Sequence, residues 1–509
     1  MSRDRPLLSF LTKLLPGNEP ASVTFSFASW LFLRLFGIIY LIAFWSLSTQ
    51  IVGLVGDRGI LPAGLFLQSV SQRVGPERFL ILPTVFWVDA GNVFLHGVTL
   101  AGAALSFGLA LGFFDLPILC LLWTFYLSLY VVGRDFLSFQ WDILLLETGF
   151  LAIFLAPVSS LWVGRTGTFS PPKLIHWLFR WLLFRLVFSS GVVKLASGDP
   201  VWRDLTALQY HYETQPLPTR AAWYFHQLPA SFHELSVLVM FIIELGFPFL
   251  ILGPKKFRLP GTSGIIFLQI LILITGNYSF FNLLTLALCI LLVDDSLWPK
   301  RWTLAEYETE KEAKRISHWP KWIQAPLAAF IVLLSFIQFP DVFRWRGIWP
   351  SFVVQIYRIV EPFHIVNSYG LFAVMTTQRQ EIVLEGSFDG NTWYPYEFKY
   401  KPGDLKRPPM QVAPHQPRLD WQMWFAALGS YQDNAWFNNF VIRLLQGSPD
   451  VLKLLQTNPF PDRPPRYLRT TLYDYHFTDI PTLKREGTWW RRERVGTYSP
   501  TLYLKDDRE

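Results

Sequence analysis

Nine apolar stretches limit, more than any other feature, what this chain of 509 residues can fold into. A helix needs about 20 mostly apolar residues to cross the hydrocarbon core of a bilayer. Stretches near that length occur at 28–48, 93–113, 116–133, 137–157, 174–196, 233–253, 263–276, 280–293 and 323–339. Charged residues make up only 16% of the chain, whereas soluble proteins carry roughly 25%. The sequence therefore predicts a polytopic α-helical membrane protein, and its composition excludes disordered and disulfide-rich secreted classes.

The charge density changes near residue 340. Residues 1–340 hold the apolar stretches and form the predicted helical transmembrane domain, with about nine helices of the length that a bilayer requires. Residues 341–509 have the charge density of an ordinary soluble domain. We therefore expect an α+β extramembrane domain with an antiparallel β-sheet to follow the helices.

Residue patterns within 341–509 predict the elements of that domain. Apolar residues at 381–385, an Asp-Gly turn and an alternating segment at 392–400 are typical of a β-hairpin. The basic run at 484–494 is expected to be a solvated tail. The other predicted elements are helices at 418–428 and 434–446 and a strand at 466–477.

The lysines and arginines between the stretches predict an orientation. With the N-terminus in the cytoplasm, the inside segments carry 14 Lys and Arg, and outside segments of similar total length carry 6. Nine crossings then place residues 341–509 outside, in a lumen or periplasm. The two long outward loops are 54–92 and 197–232.

Several charged residues fall within the predicted spans, where a charge is costly and seldom accidental. One interpretation is that they form layers of ion pairs that hold the helices in register. The other is that they line a polar cavity open to the outer side, as an enzyme or a transporter would require. The residues of this intramembrane charge layer are Asp142, Glu147, Arg185, Glu234 and Glu244, with Lys194 near the outer end.

The loop at 197–232 concentrates aromatic residues, histidines and a carboxylate. His211 and Glu213 have the side chains of an acid/base pair, although a structural hydrogen bond is the plainer interpretation. The chain lacks the HExxH, GxSxG and Walker A patterns. We therefore expect no metal and no cofactor. No dense basic face emerges, so nucleic acid is not an expected partner. The two cysteines lie in apolar stretches, and no structural disulfide is expected.

Four longer motifs carry a resemblance to a known family. They read GDRGILP at 56–62, YHYETQPLP at 210–218, TGNYSFFN at 275–282 and PHQPRLDWQMWF at 414–425. In these motifs, and over nearly its whole length, the chain resembles the lipase maturation factor family. Within the motifs, the candidate client-binding or structural residues are Tyr210, His211, Gln215, His415, Asp420, Trp421 and Trp424.

The resemblance implies a membrane protein that helps secreted lipases, or other exported client proteins, to fold and assemble. Its C-terminal domain would bind the client on the lumenal side. In a eukaryote the membrane would be that of the endoplasmic reticulum, and in a bacterium it would be the cytoplasmic membrane. The only N-glycosylation sequon, at Asn277, lies between two apolar stretches.

A second, shorter motif is similar to a stretch of the vitamin K-dependent γ-carboxylase. It reads SGVVKL at 190–195, followed by Asp199 and Trp202. That resemblance implies that Lys194 is an active-site base, a role that burial supports because it lowers the pKa of a lysine. The alternative to a maturation factor is therefore an integral membrane enzyme with Lys194, His211 and Glu213 as catalytic residues.

Overall fold

The computed structural model describes residues 24–158, 171–303, 319–343 and 349–504. In the first 343 residues, nine helices occupy the positions of the nine apolar stretches and pack into one bundle. We number all α-helices in chain order. The bundle helices are α1 (Ser26–Ser48), α5 (Asn92–Leu111), α6 (Asp115–Gly133), α7 (Gln140–Leu155), α8 (Lys173–Ala196), α12 (Ala230–Phe241) continued by α13 (Phe247–Leu252), α14 (Lys255–Thr275), α15 (Phe281–Ile290) and α17 (Lys321–Val342).

Six helical segments in the described ranges are long and apolar enough to cross a membrane. The other bundle helices are α7 and α15, which are shorter, and α8, which carries four basic residues. The stretch at 263–276 is shorter than the helix that contains it, because the first residues of that helix, 255–262, are mostly polar. The helix α14 begins at Lys255, and Pro254 is its N-cap residue. The Lys255 ammonium pairs with Asp294 at 3.0 Å. The predicted polytopic helical fold is confirmed.

Short helices fill the connections between the bundle helices. They are α2 (Ile51–Val55), α3 (Ala63–Arg73), α4 (Arg78–Ile81), α9 (Pro200–Arg203), α10 (Ala207–Thr214), α11 (Arg220–His226) and α16 (Lys300–Thr303). The loops predicted to face outward contain α3, α4, α9, α10 and α11, and the first of them begins within α2. Both loops contact residues 349–504, which we call the outer region. For example, the Arg443 guanidinium donates to the carbonyl of Gly59 at 2.8 Å.

The outer region contains a four-stranded antiparallel sheet in the order β2-β1-β5-β6, and a two-stranded sheet of β3 and β4. Helices pack around both sheets. The strands are β1 (Gln380–Ser387), β2 (Tyr394–Pro395), β3 (Glu397–Phe398), β4 (Leu455–Thr457), β5 (Tyr467–Phe477) and β6 (Trp490–Tyr503). The helices are α18 (Ser351–Val360), α19 (Arg418–Ala427), α20 (Ala435–Leu445), α21 (Pro449–Leu452) and α22 (Ile480–Glu486).

The strands predicted at 381–385 and 466–477 lie where the sequence predicts them. So do the two predicted helices, at 418–428 and 434–446, which are α19 and α20. The hairpin is shorter than predicted, because only Tyr394 and Pro395 of the segment 392–400 pair with β1. The last contact of this ladder is the bond from the backbone N–H of Tyr396 to the carbonyl of Leu384 at 2.9 Å. The chain then turns to pair Glu397 and Phe398 with β4.

The prediction of a solvated tail at 484–494 is wrong. The segment contains the end of α22 and the start of β6, which pairs with β5 over most of its length. Most side chains of β6 are exposed, so no apolar alternation marked it as a strand. Its arginines suit an edge strand, because charge on an edge discourages further strand pairing.

Candidate functional site

A cavity of about 400 Å³ lies where α8, α12, α14 and α15 meet the loop that contains α10. Most of the side chains that line the cavity are apolar, and a smaller set is polar. The polar wall consists of Lys194, His211, Glu244, Gln269, Tyr278 and Asn282. The size is that of a small-molecule site, which typically measures roughly 300–1,000 Å³. We refer to this space as the cavity.

Lys194 and Glu244 form a buried ion pair in the cavity wall. Lys194 lies in the last turn of α8, and its ammonium approaches the two Glu244 carboxylate oxygens at 2.7 and 3.1 Å. It also donates to the carbonyl of Ser190 at 2.9 Å. An ammonium has three N–H donors, so these contacts use all of them. The ring of Trp202 lies 5.5 Å from the same nitrogen.

Glu244 is placed by a local widening of its helix. Residues Ile242–Gly246, between α12 and α13, form a π-helical turn. Pro248 follows at the second position of α13 and has no N–H for the carbonyl four residues earlier, that of Glu244. Such π turns are frequent at functional sites. The widened turn lies against the end of α8 that carries Lys194, as the contact with Glu244 shows.

A chain of hydrogen bonds joins His211, Tyr278 and Gln215. The Tyr278 hydroxyl lies 3.0 Å from His211 Nε2 and donates to Gln215 Oε1 at 3.1 Å. The Gln215 amide nitrogen donates to the carbonyl of Thr275 at 2.8 Å, so Oε1 is the acceptor. Because the hydroxyl has a single hydrogen, Nε2 carries the ring proton of His211 and Nδ1 is an acceptor.

His211 is neutral at physiological pH. Burial and the neighbouring Lys194 charge lower the pKa of its imidazole to about 4. Its Nδ1 atom is buried and has no hydrogen-bond partner among the described residues. Asn282 is similar, because its Nδ2 donates to Gln269 at 2.8 Å while its buried Oδ1 has no described partner. Two residues that line the cavity therefore each carry a buried hydrogen-bond acceptor without a described partner.

The structure does not bring His211 and Glu213 together. Residues two apart on a helix do not face each other, and α10 puts these two side chains against different neighbours. Glu213 accepts from the backbone N–H of Phe477 at 2.5 Å and lies 3.2 Å from His476 Nδ1. Glu213 therefore belongs to the contact with β5, away from His211.

Arg379 binds the segment that follows Glu213. Its guanidinium donates to the carbonyls of Glu213 at 2.8 Å and Pro216 at 2.9 Å, and to that of Gln215. It also pairs with Glu381 at 2.7 Å. The motif at 210–218 is thus held by the outer region.

A second polar cluster joins the bundle to the outer region, and we call it the junction. It consists of Tyr126, Asp142, Glu147, Arg185, Asn367, Tyr369 and Arg418. Arg418, in the first turn of α19, makes a bidentate pair with Asp142 at 2.6 and 2.8 Å. Tyr126 donates to the same carboxylate at 2.5 Å. Fork-to-fork pairs of this kind are among the strongest charge-assisted bonds.

The second half of the junction is built around Glu147. Its carboxylate pairs with Arg185, and it accepts from the backbone N–H of Asn367 and the hydroxyl of Tyr369, both at 2.8 Å. Arg185 in turn donates to the carbonyl of Asn367 at 3.0 Å. The carboxylates of Asp142 and Glu147 therefore bind groups of the outer region. Asn367 and Tyr369 precede β1, and Arg418 follows it.

Two motif residues hold the outer region at other points. Asn277 is buried and donates to the carbonyls of Leu217 at 3.0 Å and Met410 at 2.8 Å, and it accepts from the backbone N–H of Val412 at 2.7 Å. His415 Nδ1 lies 2.9 Å from the hydroxyl of Ser46. Asn277 is the residue of the glycosylation sequon, and its amide is fully engaged in the folded chain.

The remaining predicted site residues serve separate local contacts. Asp420 accepts from the backbone N–H groups of Tyr400 and Lys401. Trp424 donates to the carbonyl of Thr214 at 2.9 Å. Trp421 packs edge-on against the rings of Trp141 and Tyr278, whereas Tyr210 and Glu234 are exposed.

Sequence reasoning missed the partners of the intramembrane charges. Arg418 lies in the motif at 414–425 and could have been matched to Asp142 as the one basic residue there. Asn367 and Arg379 carry no such signal. In the described ranges, no group of three or more His, Cys, Asp or Glu side chains could hold a metal ion.

Comparison with known sequences covers both parts of the chain. Residues 27–300 match the family model "Lipase maturation factor transmembrane domain", and residues 365–500 match "Lipase maturation factor C-terminal domain". Lipase maturation factor 2 of Xenopus laevis is 38% identical, with 92% of this chain and 81% of that protein aligned. Human lipase maturation factor 1 is 36% identical, with 96% and 91% aligned. No solved structure matches the chain.

Proposed function

Since the chain belongs to the lipase maturation factor family, we propose that it is a membrane-anchored maturation factor for secreted lipases. It assists their folding and assembly on the lumenal or periplasmic side. The match to both family models, over the bundle and the outer region, is the observation that carries this proposal.

The proposed orientation has the N-terminus in the cytoplasm and the outer region on the exported side. Two observations support it. The outer region contacts Ser46 and Gln50, at the opposite end of α1 from Ser26. The segment at 254–258, rich in lysine and arginine, lies at the opposite end of α14 from Thr275, which contacts Gln215.

The state of Lys194 favours binding over chemistry. A lysine acts as a base only when its amine is deprotonated. All three N–H donors of Lys194 are engaged by Glu244 and the carbonyl of Ser190, so no donor or lone pair is directed at a substrate. The geometry at Lys194 thus supports a structural ion pair.

An exposed aromatic patch on the outer region is the candidate client-binding surface. Phe388 and Tyr394 both pack edge-on against Phe460 and are 40% and 49% exposed. The Arg463 guanidinium lies 4.4 Å from the ring centre of Phe388. Aromatic residues and arginine are the types enriched at protein interfaces and their hot spots. We call these four residues the aromatic patch.

The proposal is tested by secreted lipase activity in cells that lack their own maturation factor and express this chain. We expect the wild-type chain to raise the activity per secreted lipase molecule, and Phe388→Ser with Tyr394→Ser to abolish most of that gain. Ile480→Ser with Val495→Ser is the matched control, since both residues are exposed elsewhere on the outer region. No gain with the wild-type chain would contradict the proposal. An equal loss in the control pair would show that the aromatic patch is not the specific client-binding surface.

The second candidate function is an integral membrane enzyme that uses Lys194 as its base. It is favoured by one observation, namely that Lys194 and His211 line the same cavity. The same cells distinguish the two functions. A base requires an amine, so Lys194→Arg, which keeps the ion pair, would abolish an enzyme's effect on the lipase. We expect Lys194→Arg to retain most of the gain, as a binding protein would.

A further inference from the structure

We propose that the cavity is a binding site for an uncharged membrane lipid with a hydroxyl-bearing head group, of the monoacylglycerol class. The acyl chain would lie along α12 and α14, and the hydroxyl groups would meet the polar wall. The inference concerns a ligand of the bundle and is independent of how the outer region treats a client.

The apolar side of the cavity is continuous with the lipid-facing surface of the bundle. Leu235 on α12 and Phe267 on α14 both line the cavity and are 60% and 53% exposed. The segment that runs from α12 through α13 and the helix α14 are each long and apolar enough to cross a membrane. A side chain that lines the cavity and is also exposed at this depth touches the acyl chains of the bilayer. The cavity therefore draws its ligand from the membrane.

The charges of the polar wall exclude a charged head group. Lys194 and Glu244 neutralise each other at 2.7 Å. The other polar groups of the wall, Gln269, Tyr278 and Asn282, are uncharged, and His211 is neutral because of its low pKa. A phosphate or carboxylate placed here would have no free opposite charge, and an unpaired charge out of water is expensive. The wall therefore complements a neutral molecule.

The free atoms of the wall specify hydrogen-bond donors on the ligand. His211 Nδ1 and Asn282 Oδ1 are buried, have no described partner and accept hydrogen bonds. Buried polar atoms are normally paired. Asn282 is fully buried, so bulk water does not satisfy it. A glycerol head group offers two hydroxyl donors. An ester or ketone without hydroxyls could not pair with either acceptor.

Photolabelling of the purified full chain in lipid nanodiscs tests the inference. The probe is a monoacylglycerol with a diazirine in its acyl chain, and the comparison probe is a lysophosphatidate with the same acyl chain. We expect saturable labelling of peptides from α12 and α14 by the first probe. We expect at least fivefold weaker labelling of those peptides by the second. Equal labelling by the two probes would overturn the inference.

Two tryptophan variants on α12 separate the cavity from the general lipid surface. Val239 lines the cavity, whereas Leu238 is similarly exposed and does not. Val239→Trp should reduce the labelling by the monoacylglycerol probe at least fivefold, and Leu238→Trp should leave it unchanged. Equal labelling of both variants would place the probe on the outside of the bundle and contradict the proposal.

The acceptors are tested by Asn282→Leu, which keeps the size of the side chain and removes Oδ1. Loss of a hydroxyl contact should raise the concentration of the monoacylglycerol probe at half-saturation roughly tenfold. His211→Phe gives an independent measurement should the first variant fail to fold, and the same shift is expected. Unchanged half-saturation in a folded variant would show that these atoms do not read the head group. Because the readout is labelling, failure here leaves the lipase assay unaffected.

Discussion

The junction and the cavity both contain buried opposite charges on the bundle helices, but they differ in what surrounds them. At the junction, Asp142 and Glu147 each accept at least three hydrogen bonds, several of them from the outer region. At the cavity, the Lys194–Glu244 pair lies wholly within the bundle and beside open space. Charges of the same kind therefore perform two tasks, attachment at the first place and shaping of a site at the second.

The difference shows that charged residues within the bundle do not all have the same structural role. The role of each charge depends on whether the groups around it leave space for another molecule. Where two parts of the chain close over a carboxylate, the charge stabilises their relative position. Where the wall keeps unpaired acceptors, the charge sets the polarity of a pocket. Four predictions test this contrast.

The largest effect is expected at Arg418. Arg418→Met leaves Asp142 buried without its partner, which should lower the free energy of unfolding by about 3–5 kcal/mol. Thermal unfolding in detergent measures the loss. Adding Asp142→Leu should recover most of it, because no unpaired charge remains. Arg469→Met, at a pair that is partly exposed, should cost less than about 1 kcal/mol. A loss at Arg418 as small as that control would mean that the junction does not hold the two parts together.

A smaller effect is expected for Tyr369→Phe, which removes one hydrogen bond to the Glu147 carboxylate. Bonds to charged groups contribute about 1.5–3 kcal/mol, against about 1 kcal/mol for neutral ones. Tyr498→Phe is the matched control, since its hydroxyl donates to the neutral carbonyl of Ala426 at 2.9 Å. Unfolding in detergent should show the larger loss at Tyr369. Equal losses would contradict the view that the junction concentrates charge-assisted bonds.

Lys194→Met should cost less than Arg418→Met, by about half, although both remove one member of a buried pair. The cavity beside Glu244 has room for water, which can hydrate the carboxylate that is left behind. The measurement is again unfolding in detergent, with Glu244→Gln as the complementary change. A loss at Lys194 as large as that at Arg418 would show that water in the cavity does not hydrate Glu244. The cavity and the junction would then not differ in this respect.

The last prediction, and the one whose effect is smallest per pH unit, is a dependence on pH shared by two histidines. Burial and a nearby cation lower the pKa of His211, beside the cavity, and of His415, beside Ser46, to about 4 in each case. The unfolded chain binds these protons near pH 6.5. Stability is therefore complete above pH 6.5 and falls as the pH drops from 6.5 towards 4, by at most about 1.4 kcal/mol per pH unit for each histidine.

Substitution of either histidine by glutamine should flatten that slope. A monoacylglycerol bound to Nδ1 of the neutral His211 should lower the pKa of that ring further, so that the slope keeps its full value closer to pH 4 in wild-type protein but not in His211→Gln. Unfolding between pH 4 and 7, with and without the lipid, provides the measurement. A slope that is unchanged by both substitutions would contradict the neutral state assigned to these rings.

Much of the helical bundle was predictable, because the length and hydropathy of each apolar stretch can be read from that stretch alone, and they predict its helix. The strands at 381–385 and 466–477 were predictable for the same reason. The strand β6 was not, since its residues are mostly exposed and only its pairing with β5 makes it a strand. Partners 276 residues apart, such as Asp142 and Arg418, depend on the tertiary fold, which no local pattern reports.

The candidate site was predictable to a similar degree. The interest of Lys194 and His211 follows from residue types that are rare near a span. Their separation from Glu213 follows from the helix α10, where residues two apart point to different sides. The free acceptors on His211 and Asn282 depend on which neighbours take the other atoms of each side chain, which requires the assembled structure.

The distance in sequence between Asp142 and Arg418 has a consequence for biosynthesis. Ribosomes add roughly 5–20 residues per second, so the guanidinium follows its carboxylate by roughly 15–55 seconds. During that interval every bundle helix has been made, yet the polypeptide lacks the group that neutralises Asp142. The nascent protein therefore keeps an incomplete interior until Arg418 has been synthesised, and a quality-control factor has that time in which to recognise it.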